Sequence, residues 1–327
     1  MRILSGLQPS GRLHLGNYFG ATVNHLKMQA EGEAFYFIAD YHALTTIKSP
    51  EQLRTLVLDL AIDYLALGLD PEKCALFKQS DVPEVCELAW ILSTVTGKGL
   101  LDRAHAYKDR VAKGIEASMG LYSYPMLMAA DILIYQSNWV PVGQDQVQHV
   151  EMTRDIAGSF NATYRELFVL PEARLSAVPK LVGTDGEKMS KSYGNVIEIF
   201  EPANTLKKKV MSLKTDSKGV ADKKDPETDL IYQYYALFAN DADQQELAAR
   251  YRAGGMGYGD AKKMLLEKME QFIGPLRTRR EEIAADLDFV NDVLKRGADH
   301  AGFEARKTME KVRSAVGLRT RTKVTPT

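Results

Sequence analysis

Apolar positions in the first half of the chain fall into short runs separated by longer stretches of helical period. Residues 2–6, 34–39, 74–78 and 139–142 read as short buried strands bounded by turn residues. Residues 17–30, 50–67, 83–96, 100–113, 121–135 and 144–160 set apolar side chains three and four apart, which predicts helices. Local chemistry marks some of the ends. Ser49 suits an N-cap, Pro50 the first helical position, and Gln52 completes a capping box. Gly68 stops that helix, and Pro125 is expected near the first turn of the helix over 121–135. Strands alternating with helices predict an α/β fold built on a doubly wound parallel sheet.

Beyond residue 192 the texture changes. Residues 202–213, 227–239, 243–253, 260–286 and 308–316 are helix-periodic and rich in Ala, Leu, Lys and Glu. Gly254-Gly255-Met256-Gly257-Tyr258-Gly259 is a turn between two of these helices; no strand precedes it, so it is not a nucleotide loop. The tail 320–327 is expected to be disordered. The organisation predicted is 1–186, 187–286 and 287–327, an α/β domain, a helical domain and a returning C-terminal segment.

Composition narrows the class. With 327 residues, 45% hydrophobic and 26% charged, the chain is an ordinary globular protein. No apolar run approaches the roughly 18 residues that a membrane span needs. The start, Met1-Arg2-Ile3-Leu4-Ser5, leads straight into a strand pattern, so no signal peptide is expected and the cytoplasm is the expected compartment. Cys74 and Cys86 stand twelve positions apart with no neighbouring His, which supports neither zinc nor an iron–sulfur cluster. A net charge of −1 means that a nucleic-acid partner must be met by local patches. Candidates are Lys207-Lys208-Lys209 with Lys214 and Lys218, then Arg277, Arg279 and Arg280, then Arg306, Lys307, Lys311 and Arg313 with Arg319 and Arg321. Each alone is a solvated helix face.

Two segments carry chemistry. Lys188-Met189-Ser190-Lys191-Ser192 follows the glycine-bearing run Gly183-Thr184-Asp185-Gly186-Glu187. Glycine lets backbone N–H groups approach a phosphate, Lys brings a mobile point charge, and Ser a short donor. Ser5-Gly6-Leu7-Gln8-Pro9-Ser10-Gly11-Arg12-Leu13-His14-Leu15-Gly16-Asn17 places a turn between the first strand and a helix N-terminus, a setting that suits phosphate or ribose. His14 and Asn17 are three apart and can face one ligand.

His14-Leu15-Gly16-Asn17 and Lys188 to Ser192 resemble the two signatures of the class I aminoacyl-tRNA synthetases. Gly6 to Gly11, Phe37-Ile38-Ala39-Asp40-Tyr41-His42-Ala43-Leu44-Thr45, Met128-Ala129-Ala130-Asp131-Ile132-Leu133 and Pro141-Val142-Gly143-Gln144-Asp145-Gln146 narrow the resemblance to the bacterial tryptophanyl branch. It runs from Met1 to Leu318. It implies a Rossmann-like catalytic domain (1–186), a signature loop with a helical anticodon-binding domain (187–286), and helices returning to the catalytic domain (287–327). The implied partners are L-tryptophan, ATP, tRNA(Trp) and a second copy of the chain as a homodimer, with no membrane.

The same resemblance assigns the site. Catalytic roles fall to Lys188, Lys191, Gln8, Asn17 and His14. ATP is met by Gln8, Pro9, Ser10, Gly16, Asn17, Gly143, Gln144, Asp145, Leu181, Lys188, Met189, Ser190, Lys191 and Ser192. Within that set, Asp145 accepts from the ribose, Leu181 meets adenine through its backbone, and the two lysines reach the pyrophosphate. Mg²⁺ is held by the phosphates, and no residue set is expected to bind a metal. Tyr124, Met128, Asp131, Gln146 and His42 would hold tryptophan. Asn17 stands where the class often has His, so no charged imidazole acts there.

Asp131 lies in an apolar stretch and needs a partner. One reading pairs it with Tyr122 or Ser123. The other makes it the acceptor for an indole N–H, with Met128 one turn earlier against the ring. Rival identities are a tyrosyl enzyme, which would carry polar groups for a phenol in place of Met128, and a silent tRNA-binding paralogue, whose signatures would be damaged. A small nucleotidyltransferase would leave the helical second half without a purpose.

Overall fold

Strands β1 (Arg2–Leu7), β2 (Glu33–Ile38), β3 (Cys74–Lys78), β4 (Trp139–Val142) and β5 (Glu172–Leu175) form one sheet in the order β3-β2-β1-β4-β5, all parallel. The computed structural model describes residues 1–104, 118–175 and 181–318. Four strands lie where the sequence pattern puts them. β5 was not foreseen: it is an edge strand of mixed, partly exposed residues, so it carries no buried apolar run. The chain winds outward from β1 to β3, then restarts on the other side of β1 at β4. That leaves a topological switch point between β1 and β4, beyond whose carboxyl ends open α/β sheets bind ligands.

Contacts divide the chain into two units. The first holds Met1–Gly11, Ala21–Ala177 and Asp286–Thr327; the second holds Arg12–Gly20 and Val178–Ala285. The division therefore falls before residue 186, and the His14–Asn17 turn goes with the second unit, where the sequence pattern alone kept it with the first.

Helical segments connect the strands. Between β1 and β2 the chain forms a helical turn α1 (Leu15–Asn17), a π-helical stretch Tyr18–Thr22 and α2 (Val23–Met28), where the pattern predicted one regular helix. Next come α3 (Asp40–Ala43), α4 (Pro50–Ala66), α5 (Glu84–Ser93), α6 (Lys98–Asp102), α7 (Met119–Ile134) and α8 (Val147–Thr163). Ser49 caps α4, its Oγ accepting from Gln52 N–H. The helix expected over 100–113 is seen as α6, which ends at Asp102; residues 105–113 lie outside the described residues, as does the tail 320–327. Helix α7 starts earlier than expected, with Ser118 as N-cap, so Pro125 sits in its interior rather than near its first turn.

The longest departure is at the C-terminus of the described chain. In place of a short helix over 308–316, one helix runs from Leu287 to Ala315. It is numbered α13, after the four helices of the second unit. It packs along β3, burying Val290, Val293, Leu294, Ala301, Ala305, Met309 and Val312. Ion pairs join it to α5 and β1. Arg313 pairs with Glu87, Lys307 with Glu304 at 2.9 Å, and Arg2 bridges Glu33 and Glu304 at 2.8 and 2.6 Å. Of the third basic set, Arg313 and Arg306 face the α5 carboxylates Glu87 and Glu84, and Lys307 pairs within α13; Arg319 and Arg321 lie outside the described residues.

The second unit is helical: α9 (Ala203–Met211), α10 (Leu230–Ala236), α11 (Asp241–Ala253) and α12 (Tyr258–Ala285). Its core joins Leu206, Val210, Ile231, Tyr234, Leu247, Tyr251, Leu265, Met269 and Ile273. The buried Lys262 donates to the carbonyls of Met211 and Leu213 at 2.9 and 2.7 Å, closing the end of α9. Gly254 and Gly255, with φ of 81° and 85°, make the turn between α11 and α12. Among the described residues no helix is long and apolar enough to cross a membrane.

Candidate active site

Strand ends collect the candidate residues of the first unit. Gln8, Pro9 and Ser10 follow β1, and Ser10 N–H turns back to the Gln8 carbonyl at 2.8 Å. Gly143 follows β4 and leads into a short 3₁₀ turn, Gln144–Gln146. These two segments flank the switch point, where a nucleotide is expected. The side chain of Asp145 lies outside the described residues.

One strand further out, the ends of β2 and β3 are linked. Asp40, opening α3, accepts from Ser80 N–H at 2.9 Å and from the Ser80 hydroxyl. That bond fixes the 3₁₀ turn Gln79–Asp81 after β3 beside the helix that carries His42. From there His42 Nε2 reaches Asp131 Oδ2 at 2.9 Å, while Gln79 Nε2 donates to Asp131 Oδ1 and Oδ2 at 2.8 and 2.9 Å. Asp131 is 1% exposed. Burial pushes its carboxyl pKa up; the hydrogen bonds from His42 and Gln79 pull the other way by favouring the anion. Tyr122 and Ser123, considered from sequence as its partners, bond elsewhere, to Asp102 at 2.9 Å and the Met119 carbonyl at 2.7 Å.

Also on α7, Met128 packs half-buried on the core, and the Tyr124 ring lies edge-on to His42 with centroids 6.3 Å apart. The Tyr124 hydroxyl pairs with His149 Nε2 on α8, and burial raises its pKa to about 12. Tyr124, His42 and Asp131 thus lie together. Gln79, Asp40 and His149 were not singled out from sequence. The first two could have been, because Gln79 directly follows the carboxyl end of β3 and Asp40 stands two residues after that of β2.

In the second unit, His14 and Asn17 do more than share a face. His14 Nδ1 accepts from Asn17 N–H, and Asn17 Oδ1 accepts from His14 N–H, both at 3.2 Å. This reciprocal cap needs an imidazole that can accept. Burial, with Lys191 nearby, lowers the His14 pKa to about 4, which keeps the ring neutral. Gly16 makes room in the turn: a Cβ there would come 3.0 Å from the His14 ring and 3.2 Å from Met189 Sδ. The two signature segments therefore meet within one unit.

The lysine segment is folded around Asn195, which is 3% exposed. Asn195 Oδ1 accepts from Ser190 N–H at 2.8 Å; its Nδ2 donates to Asp185 at 2.9 Å and to the Lys188 carbonyl at 3.0 Å. Val182 bridges Lys188 as a short antiparallel contact, with Gly186 at φ 84° turning the chain between them. Leu181 sits just before that bridge, half-buried. Lys188, Lys191 and Ser192 are exposed, Met189 is buried, and the hydroxyls of Ser190 and Ser192 lie 2.8 Å apart. Among the described residues no His, Cys, Asp and Glu cluster could hold a metal ion.

A switch-point turn on an open parallel sheet, and separately a capped His/Asn turn with a lysine loop, are each settings that suit nucleotide phosphates. The comparisons give the family. The family model described as tRNA synthetases class I (W and Y) matches residues 1–274. The chain is 52% identical over 320 residues to the tryptophan--tRNA ligase of Rhodopirellula baltica, covering 98% of this chain and 100% of that one. It is 50% identical to the enzyme of the same name from Fusobacterium nucleatum, covering 97% and 98%. A crystal structure of tryptophanyl-tRNA synthetase from Campylobacter jejuni, complexed with ADP and tryptophan, matches with a TM-score of 0.92 at 48% identity, covering 97% of this chain and all of that one. The chain belongs to the class I aminoacyl-tRNA synthetases, in the branch that comprises the tryptophan and tyrosine enzymes.

Proposed function

We infer that this chain is a tryptophan--tRNA ligase. It joins L-tryptophan to ATP as tryptophanyl-adenylate with release of pyrophosphate, then transfers tryptophan to the 3′-terminal adenosine of tRNA(Trp). The observation that carries this is about half identity to tryptophan--tRNA ligases along nearly the whole chain. A tyrosyl enzyme is not favoured: the described α7 residues offer Met128 beside Asp131, not a polar pair for a phenol hydroxyl.

In the first step a tryptophan carboxylate oxygen attacks the α-phosphorus, and the bond to the β-phosphate oxygen breaks. Neither step requires a covalent enzyme intermediate, so the residues act by positioning and charge stabilisation. In the first unit, Asp131 accepts the indole N–H and Met128 lies on the ring, with His42 beside them. Tyr124 and Gln146 take the ammonium and carboxylate. Gln8, Pro9 and Ser10, with Gly143, Gln144 and Asp145, contact ATP. In the second unit, Gly16 and the neutral His14–Asn17 turn offer donors to it. Leu181 and the segment Lys188 to Ser192 also contact it, and Lys188 and Lys191 neutralise charge on the departing pyrophosphate. Mg²⁺ enters as part of the substrate, bound to ATP phosphates.

The working form is a two-fold homodimer in the cytoplasm. The helical region from residue 202 to 286 takes the anticodon arm of a tRNA whose acceptor end enters the partner's catalytic domain. Amino-acid-dependent exchange of pyrophosphate into ATP, run with each of the twenty amino acids, tests the central reading. Exchange with tryptophan alone is expected; equal rates with tyrosine would overturn it.

A further inference from the structure

Gln79 is 1% exposed, yet only half of its amide is satisfied. Its Nε2 donates to both oxygens of Asp131, while its Oε1 is buried with no hydrogen-bond partner among the described residues. An orphaned buried acceptor is destabilising, so an amide serving packing alone would have both ends met. What the arrangement secures is the carboxylate. With the amide reversed, an oxygen would face the Asp131 anion, so the orientation of one group dictates that of the other. His42 Nε2 donates to Oδ2 from another strand end, and the Asp40–Ser80 bond ties the two supporting elements together. Asp131 is thereby braced from two sides, with its carboxylate plane fixed and acceptor capacity left on Oδ1.

We propose that Gln79 is a positioning residue for amino-acid selection, holding the Asp131 carboxylate in the orientation that accepts an indole N–H. This rests on the reading of Asp131 as that acceptor. Gln79 acts through Asp131, so its removal should spare the chemical step. Without the brace, the carboxylate rotates, or turns to water, and the directional bond to the substrate weakens. A substrate that lacks the N–H loses nothing.

The test compares tryptophan with β-(benzothiophen-3-yl)alanine, where sulfur replaces the indole N–H, by pyrophosphate exchange with the full-length protein. Gln79→Met keeps the volume and removes the donor; Gln79→Asn keeps an amide one methylene too short, and is read the same way if the first variant folds poorly. The expected result is a fall of about tenfold in the tryptophan-to-benzothienyl ratio of kcat/KM, carried by a higher KM for tryptophan, with the KM for ATP unchanged. A structural role would lower both substrates together and leave the ratio alone. Asp131→Ala, which removes the acceptor altogether, is measured alongside and separates the two failures. If it collapses the ratio while the Gln79 variants do not, the inference about Gln79 is wrong. If it too leaves the ratio intact, Asp131 is not the indole acceptor and the inference falls with that reading.

Discussion

Asn195 donates from Nδ2 to the backbone carbonyl of Lys188, 3.0 Å away, and the same side chain accepts the N–H of Ser190. One buried amide thus spans the lysine segment at two points. Gly183 leaves the space: a Cβ there would stand 2.3 Å from Asn195 Nδ2.

Asn195→Ala should loosen that segment without touching the tryptophan pocket. Three hydrogen bonds disappear and backbone groups lose their partner, a loss of about 1–3 kcal/mol. The expected outcome is adenylate formation slowed by about tenfold to a hundredfold in single-turnover experiments, with tryptophan affinity within twofold of the parent. Gly183→Ala should reproduce the kinetic defect, because the new methyl displaces the same amide. An Asn195→Ala enzyme that forms adenylate at the parent rate would show that the segment orders itself by other means.

Lys188 and Lys191 are exposed, so in the free enzyme their charge is screened and contributes little to binding. Their value rises when negative charge accumulates on the leaving pyrophosphate. Replacing either by Ala should therefore lower kcat for pyrophosphate exchange by more than it raises the KM for tryptophan. Unchanged adenylation with weakened tryptophan affinity would contradict the assignment.

What could be read in advance depended on how local the signal was. β1 to β4 stood out because each is a short apolar run closed by a turn, and α4 because Ser49, Pro50 and Gln52 mark its start. The lysine segment and the His14–Asn17 turn are contiguous in sequence, so their chemistry was visible too. Asp131 announced itself as a carboxylate among apolar neighbours, but its partners His42 and Gln79 come from two other strand ends, and no local pattern couples them. β5 escaped because an exposed edge strand has no apolar alternation. Most of α13 escaped although Val290, Val293, Leu294, Ala301 and Ala305 repeat at helical spacing; Gly297 and Gly302 interrupt the apolar stripe.

Gly297 is an interruption with a purpose. A Cβ at this position would fall 2.0 Å from the carbonyl oxygen of Leu76 and 2.9 Å from its nitrogen, so α13 can reach β3 only where the side chain is missing. Gly297→Ala should cost about 3 kcal/mol or more, since the clash is with strand backbone that cannot swing aside. Gly302→Ala is the control. Its nearest neighbour is the guanidinium end of Arg306, at 2.9 Å, which can move, and alanine favours the helix by about 0.5–1 kcal/mol. Urea midpoints should drop sharply for the first and hold or rise for the second. Equal effects would mean that α13 is not pinned at Gly297.

His25 makes stability depend on pH. It is 4% exposed, with Nε2 3.0 Å from the Ser5 hydroxyl and Nδ1 3.1 Å from the Tyr64 hydroxyl, and burial lowers its pKa from 6.5 to about 4. Above pH 6.5 the ring is neutral in both the folded and unfolded states, and it adds no pH dependence. Below that value the unfolded chain takes up the proton first, so stability is lost progressively until the folded pKa is reached. The shift corresponds to on the order of 3 kcal/mol across the whole window, and to about 2 kcal/mol by pH 5. His25→Gln lacks the titration. Its unfolding free energy at pH 7 should be lower than the parent's, yet should fall less between pH 7 and pH 5, by about 2 kcal/mol. Taking the difference between the two proteins removes the contribution of His14, whose pKa is also lowered to about 4. Parallel pH profiles for parent and variant would mean that the ring is protonated in the folded state as readily as in the unfolded one, against what its burial dictates.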